Sequence, residues 1–240
     1  MCRMIAAPFG VKGETLIEPF VRMARGENAL HEHNRTLGEF RHGDGWGVVY
    51  EEGKTYHSYR SLKPCWDDTT LQQFKNRMIL LLHARRASRG NVSLENVHPF
   101  QHTHNAQTWY FCHNGTIKDH MERSPEMEGD TDSERYFHLL LNHLDESHPV
   151  ASIDRALSPL KNYTSLNAFL LNENRFYAIN RFSKSLLYYT LHLHQGEEGA
   201  LLSSEPLLDV ALDWNPLTNG TVMIFDRDAG MVCSLASPTG

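Results

Sequence analysis

The sequence predicts one mixed domain of the α+β type, and three observations lead there. The chain has 240 residues, 40% hydrophobic and 22% charged, enough to bury one sizeable core. Its first two-thirds intersperse short strand-like runs with helical patterns, whereas from Ser165 onward almost every segment reads as a strand. No linker, repeat or low-complexity tract divides it, so residues 2–240 are expected to form a single domain.

The elements follow in order. Arg3–Ala7 reads as a short strand stopped by Pro8 and Gly10. Pro19–Arg25 fits a helix with proline in its first turn and Gly26 closing it. Residues 28–40 are polar and unpatterned, hence a loop. The glycine-rich His42-Gly43-Asp44-Gly45-Trp46-Gly47 leads into a strand at Val48–Tyr50, and Glu52-Gly53 turns it into Thr55–Tyr59. Asp68–Asn76 is a short helix capped by Asp67 or Asp68. Met78–Leu82 is a continuous apolar run, the mark of a strand buried on both faces. Thr108–Cys112 is a strand by residue type. Arg135–Leu144 and Val150–Leu160 are helices, the first preceded by a capping box at Thr131 and Glu134. Strands are expected at Ala168–Asn172, Phe176–Phe182, Leu186–His194, Ala200–Ser204, Thr221–Asp226 and Met231–Leu235, with hairpin turns at residues 172–174 and 226–228.

Composition narrows the function classes. The net charge is −6 and no basic block occurs, which argues against nucleic-acid binding. No apolar run reaches the roughly 18 residues of a membrane span, and no secretory leader is recognisable. Cysteines 2, 65, 112 and 233 lie far apart without paired spacing, as reduced thiols of a cytoplasmic protein do. Cys65, Cys112 and Cys233 sit among apolar or aromatic residues and read as core. Three His-x-His pairs (31/33, 102/104, 192/194) occur among fifteen histidines. Alternation would put each pair on one face of a strand, but no nearby Cys or Glu completes a familiar ligand set, so no metal site is expected. No cofactor motif is present.

Four stretches carry chemistry. Cys2 follows the initiator methionine directly and is small enough for Met1 to be trimmed. The mature chain would then bear a thiol nucleophile and a free α-amine base on one residue. His83-Ala84-Arg85-Arg86-Ala87-Ser88-Arg89-Gly90 places three arginines where a buried strand emerges. That is either a solvated loop or a guanidinium set to hold a carboxylate through two hydrogen bonds. Asn114-Gly115 after a strand is either a hairpin turn or an oxyanion hole built from the Asn114 side-chain NH₂ and the Gly115 N–H. Asp132 lies in Thr131-Asp132-Ser133-Glu134, at the start of a helix.

Taken together these stretches resemble the class II glutamine amidotransferases, members of the N-terminal-nucleophile hydrolases. The matching pieces are Cys2, His83-Ala84-Arg85 with the following Arg86–Gly90, Asn96-Val97-His98-Pro99, His113-Asn114-Gly115-Thr116-Ile117 and Thr131-Asp132-Ser133-Glu134, in the family's order over residues 2–145. The His42–Gly47 stretch and Leu202-Ser203-Ser204-Glu205-Pro206-Leu207 resemble its short stand-alone branch. That branch includes uncharacterised bacterial amidotransferase-like proteins, the ergothioneine-pathway γ-glutamyl amidohydrolase and a subunit of a glutathione-degrading complex.

The resemblance implies a four-layer α/β/β/α sandwich of two mainly antiparallel sheets. It implies Cys2 as nucleophile with its freed amine as base, and Asn114 and Gly115 as oxyanion donors. Arg85 would grip the substrate α-carboxylate and Asp132 its α-ammonium, with Ser88 and His98 in support. Arg86 stands where many relatives carry tryptophan and Arg89 where some carry histidine, which leaves the pocket's outer wall open. Residues 28–45 and 86–107 are the candidates for that wall. The expected reaction is cofactor-free hydrolysis of glutamine or another γ-glutamyl amide through a thioester. Alternatives are a glutaminase subunit feeding ammonia to a separate synthetase, a partner of a peptidase, and a silent γ-glutamyl-binding module. No synthase domain is expected behind Gly240.

Overall fold

The fold is that of a computed structural model, which describes residues 2–28, 31–38, 40–196, 199–208, 210 and 213–236. The expected trimming of Met1 and the side chain of Cys233 lie outside the described residues. The chain runs β1 (Cys2–Lys12), α1 (Gly13–Arg25), α2 (Glu32–Leu37), β2 (Trp46–Glu52), β3 (Thr55–Ser61), β4 (Met78–Arg85), β5 (Phe100–His104) and β6 (Gln107–Asn114). It continues through α3 (Asp132–His143), α4 (Pro149–Leu157), β7 (Asn167–Leu171), β8 (Arg175–Asn180), α5 (Leu186–Tyr189), β9 (His192–Gly196), β10 (Gly199–Ser203), β11 (Asn215–Pro216), β12 (Thr221–Asp226) and β13 (Gly230–Ala236).

These strands form two antiparallel sheets, ordered β11-β9-β10-β1-β4-β2-β3 and β13-β12-β8-β7-β6-β5. Alternation along each strand divides the side chains between two faces. Met4 and Ala6 of β1 meet Tyr110 and Cys112 of β6, Phe169 of β7 and Met223 of β12 between the sheets. Ile5 and Ala7 of β1 turn the other way, onto Leu16, Ile17, Phe20 and Met23 of α1. Phe111 of β6 and Leu170 of β7 turn outward onto Tyr136, Phe137 and Leu140 of α3 and Ile153 of α4. The result is helix, sheet, sheet, helix: the expected four layers.

Several elements differ from the sequence expectation, each for a local reason. β1 does not stop at Pro8; it runs to Lys12 with a register shift between Ala6 and Val11, and Gly10 takes φ +78° there. Proline lacks an N–H, and an irregular stretch of ladder tolerates that. α1 begins at Gly13, so Pro19 lies inside it rather than in its first turn. Gly13 permits that start because a Cβ there would lie 2.1 Å from the Phe74 carbonyl oxygen. The stretch 28–40 is not all loop, since α2 occupies Glu32–Leu37. His31/His33 is therefore no strand pair, and its rings pack on Phe40 and Tyr188 instead. The expected strand Leu186–His194 splits into helical turn α5 and strand β9 after Ser185 adopts φ +54°. Strand β5 goes beyond the elements expected, and the alternation of His102 and His104 along it is the one cue the sequence held. The capping box is half made: Thr131 Oγ1 accepts the Glu134 N–H at 3.2 Å, but the Glu134 carboxylate takes the N–H groups of Glu128 and Gly129. Cys65 and Cys112 are buried as expected.

Candidate active site

The β1–β4 ladder sets Cys2 directly opposite Arg85 and Met4 opposite His83. This register puts the first described residue of the chain against the end of the apolar strand. Asn114, last residue of β6, reaches across from the second sheet, where its Oδ1 accepts the Cys2 backbone N–H at 2.7 Å. The other end of residue 2 is held as well, because Tyr188 Oη donates to the Cys2 carbonyl at 3.2 Å. The His42 ring lies 2.9 Å behind that hydroxyl. Residue 2 is thus fixed from three elements.

One small cavity of ≈ 20 Å³ joins the predicted residues: Cys2, Arg85, Ser88, His98, Gly115 and Asp132 line it. Asn114 sits behind it through its bond to Cys2. Burial pushes the Cys2 thiol up, but the chain's N-terminal positive charge, the His83 ring and the Arg86 backbone N–H outweigh it and bring the thiol to about 6. A thiolate is therefore populated at neutral pH.

Two of the buried donors are an amide and a guanidinium N–H. Among the described residues, Asn114 Nδ2 and Arg85 Nη1 have no hydrogen-bond partner, nor do His83 Nδ1 and His98 Nε2, although buried polar groups rarely go unpaired. Arg85 Nη2 donates to the carbonyls of Arg89 and Asn91, each at 3.2 Å. Asp132 opens α3, and its Oδ2 accepts the Ile117 N–H at 2.6 Å. Ser88 Oγ lies 2.9 Å from Thr116 Oγ1.

Asn114-Gly115 forms no hairpin turn: β6 pairs with β5 and β7, and the chain leaves Gly115 toward α3. Glycine is required there, since a Cβ would sit 1.9 Å from the Ser165 carbonyl oxygen. The glycine-rich stretch before β2 is not an ordinary loop either. Asp44 N–H donates to the Arg85 carbonyl at 2.9 Å, Arg85 N–H to the Gly45 carbonyl at 2.8 Å, and Asp44 Oδ2 holds the Ala87 N–H at 2.8 Å.

Histidines fill the floor. His98 Nδ1 and His83 Nε2 lie 2.8 Å apart. Burial first, then the His83 ring, hold His98 well below the usual imidazole range. His113 spans Ser133 Oγ at 2.9 Å and the Ser165 carbonyl at 3.0 Å. Burial lowers it to about 4 against the opposing pull of Asp132.

Sequence reasoning missed Tyr188 and His42 as supports of Cys2. Tyr188 lay in a presumed strand and carried no signal. The Arg3–Glu205 pair did leave one, a charge inside an apolar strand. The Arg3 guanidinium is fully buried, 3.9 Å over the Tyr188 ring and 3.8 Å from Glu205, while Ser204 Oγ accepts the Met4 N–H at 3.0 Å. The Ser204-Glu205 motif thus anchors the strand that bears Cys2.

Among the described residues, two groups bring three metal-ligating atoms within 4.8 Å of one another: Cys2, His83 and His98 inside the site, and His102, Glu126 and His138 outside it. No helix among the described residues is long and apolar enough to cross a membrane.

Comparison with known proteins identifies the family. The family model described as "Glutamine amidotransferases class-II" matches residues 33–173. The chain is 31% identical over 115 residues to the Escherichia coli (strain K12) protein named "Putative glutamine amidotransferase YafJ", an alignment covering 45% of each chain. It is 25% identical over 232 residues to a Haemophilus influenzae protein of like name, covering 82% of this chain and 78% of that one. Among solved structures, the glutamine phosphoribosylpyrophosphate amidotransferase of B. subtilis superposes with a TM-score of 0.67 at 14% identity. That match covers 100% of this chain and 50% of the other, so the chain spans about half that protein's length. At this identity the likeness is one of fold.

Proposed function

This chain belongs to the class II glutamine amidotransferases, and from that premise we propose that it hydrolyses glutamine or another γ-glutamyl amide to glutamate plus ammonia or an amine, through a thioester on Cys2. One observation carries the proposal. A thiol brought to about 6 lines one cavity with Arg85, whose Nη1 is buried without a partner among the described residues, and the nitrogen of the same cysteine meets Asn114, whose Nδ2 is likewise unpartnered.

The chemistry closes without a cofactor. The Cys2 thiolate attacks the amide carbon, and the carbonyl electrons move onto oxygen. Asn114 Nδ2 and the Gly115 N–H stabilise that oxyanion. The intermediate collapses, the C–N bond breaks, and the leaving nitrogen takes a proton from the Cys2 ammonium that Met1 removal exposes. Water then adds to the thioester, giving its proton to the now neutral amine, and the C–S bond breaks to release glutamate. The amine would occupy the position from which the Cys2 nitrogen now meets Asn114 Oδ1 at 2.7 Å. Its ordinary pKa of roughly 7.7–8.0 suits both roles.

Arg85 takes the substrate α-carboxylate and Asp132 its α-ammonium; both line the cavity with Cys2. Ser88 and His98 support the walls, and Arg86 and Arg89 form the rim beside the amide's other substituent. The free thiols of Cys2, Cys65 and Cys112 fit a cytoplasmic setting.

A second reading has its own support. The cavity of ≈ 20 Å³ holds about one water, and the 89–91 carbonyls occupy part of Arg85. A separate synthetase or peptidase chain that opens this loop would make the protein an ammonia- or amine-releasing subunit, nearly idle alone.

The test is glutamate release from glutamine, glutathione and a series of γ-glutamyl amines, with intact mass confirming Met1 removal. Turnover that vanishes in Cys2→Ala supports the proposal, and turnover that survives it overturns the thioester. Activity that emerges only on adding a partner chain selects the second reading.

A further inference from the structure

On the far face of the second sheet, three side chains from separate elements converge. His102 lies on edge strand β5, Glu126 on the connection before α3, and His138 on α3. His102 Nε2 and Glu126 Oε2 are 3.2 Å apart, and the His102 and His138 ring centroids 4.9 Å. One ligand-type atom from each lies within 4.8 Å of the other two. We propose that His102, Glu126 and His138 bind one divalent transition-metal ion, zinc by preference.

The donor set favours that class. Two imidazoles and a carboxylate form the nitrogen-rich set zinc takes in open sites, whereas calcium and magnesium seek oxygen alone. The spacing fits too. Zinc–ligand bonds of about 2.0–2.1 Å give a tetrahedron with edges of about 3.3 Å, close to the separation of His102 and Glu126. A metal ligand must offer a lone pair. The His138 ring makes no hydrogen bond among the described residues.

The surroundings leave room for an ion. Arg123 and Arg135 are cations in the wall of an adjoining cleft of ≈ 440 Å³ that His138 also lines. The Arg135 guanidinium donates to the Met121 carbonyl at 3.0 Å. Glu126 is the exposed arm, with 63% of its side chain open to solvent, while His102 at 20% is largely packed in. Two held imidazoles and one closing carboxylate leave a fourth position open to solvent. His104, partner of His102 in the His-x-His pair, lies outside the cluster. The ion would pin α3, whose first residue is Asp132, to the sheet edge, but the site does not depend on the hydrolytic reading.

The experiment uses the full chain carrying Cys2→Ala, which removes the thiol of the other metal-capable group, stripped with EDTA and titrated with ZnCl₂ by calorimetry. Co²⁺ serves as a second probe, its visible absorption reporting nitrogen ligands. One equivalent of Zn²⁺ should bind and raise the thermal midpoint. His102→Ala, Glu126→Gln and His138→Ala should each weaken binding by at least about tenfold, the lower range even for groups that only orient ligands. The first two alter partly exposed side chains, so the test survives if His138→Ala fails to fold. His104→Ala should leave affinity unchanged. No binding at millimolar Zn²⁺, or affinity lost in His104→Ala but kept in Glu126→Gln, would overturn the site.

Discussion

Asn114→Asp is the sharpest perturbation of the proposed reaction. In the present structure Asn114 does two things at once: its Oδ1 holds the Cys2 nitrogen at 2.7 Å, and its Nδ2 is buried without a partner among the described residues. A buried donor left unmade costs about 1–3 kcal/mol, and the fold already bears that cost. The bond is recovered only when an oxygen arrives at Nδ2, and it is strongest when that oxygen carries charge. Loss of one oxyanion donor costs about 2.7–4 kcal/mol in the barrier, or about 10²–10³ in kcat. Aspartate keeps an oxygen for the Cys2 nitrogen, so the nucleophile stays placed. It removes the donor and sets a negative charge beside the developing oxyanion. At an effective dielectric of 20, two unit charges 4 Å apart repel by about 4 kcal/mol, so the loss should meet or exceed the upper end of that range. The substrate's α-groups still meet Arg85 and Asp132, so KM should change little. Steady-state glutamate release, with thermal unfolding as the folding control, decides it. A folded Asn114→Asp protein keeping more than roughly a tenth of kcat would refute the oxyanion role, as would a loss confined to KM.

Other outcomes are expected. Arg85→Lys replaces a planar fork with a point charge; kcat/KM should fall about 10–100-fold, the worth of a charged hydrogen bond, chiefly through KM in the same assay. Because Cys2 titrates at about 6 rather than 9.0, the thiolate fraction rises as pH climbs through 6 and is nearly complete by neutrality. Iodoacetamide labelling followed by mass spectrometry should therefore reach half its maximal rate near pH 6, and a midpoint above 8 would contradict the site's electrostatics. Glu205→Leu strips the buried Arg3 of its counter-ion at 3.8 Å, which should cost about 3–5 kcal/mol in urea unfolding. Tyr188→Phe removes the hydroxyl on the Cys2 carbonyl; kcat should drop while stability changes by only about 0.5–1.5 kcal/mol.

Much of this site was legible because its parts are short and local. The apolar run Met78–Leu82 had to be a central strand, and a guanidinium at its end had to find a partner or a task. The same holds for Asn114-Gly115: the pair reads equally well as a hairpin turn, and only the ladder of β6 with β7 excludes that. The ladder removes the hairpin option, and the oxyanion role stays a proposal. The elements misread were those whose conformation tertiary contacts decide. α5 is four residues long, too short for helical periodicity to register, and its apolar and aromatic residues have strand-like preferences. Its placement depends on Ser185 and on Glu32, whose carboxylate caps the Leu187 and Tyr188 N–H groups at 2.9 and 3.0 Å. No local signal links residues 32 and 187.

That long-range contact bears on why a fold would fix residue 2 so firmly. A chain end is ordinarily mobile, yet a nucleophile must sit within a fraction of an ångström of its working geometry. Here the strand bearing Cys2 is held centrally in its sheet, between β10 and β4. Its first residue is then held by side chains from outside that sheet: Asn114 from the second sheet on the nitrogen, and Tyr188 from α5 on the carbonyl. Arg3 extends the same clamp, since its guanidinium lies against the Tyr188 ring and donates to the Tyr188 carbonyl at 3.0 Å. Tyr188 therefore couples the late Ser204-Glu205 motif, through Arg3, to the carbonyl of Cys2. On this account a residue more than 180 positions downstream belongs to the catalytic geometry without touching substrate. The support for this single residue thus comes from the middle of the chain through Asn114 and from its later part through Tyr188.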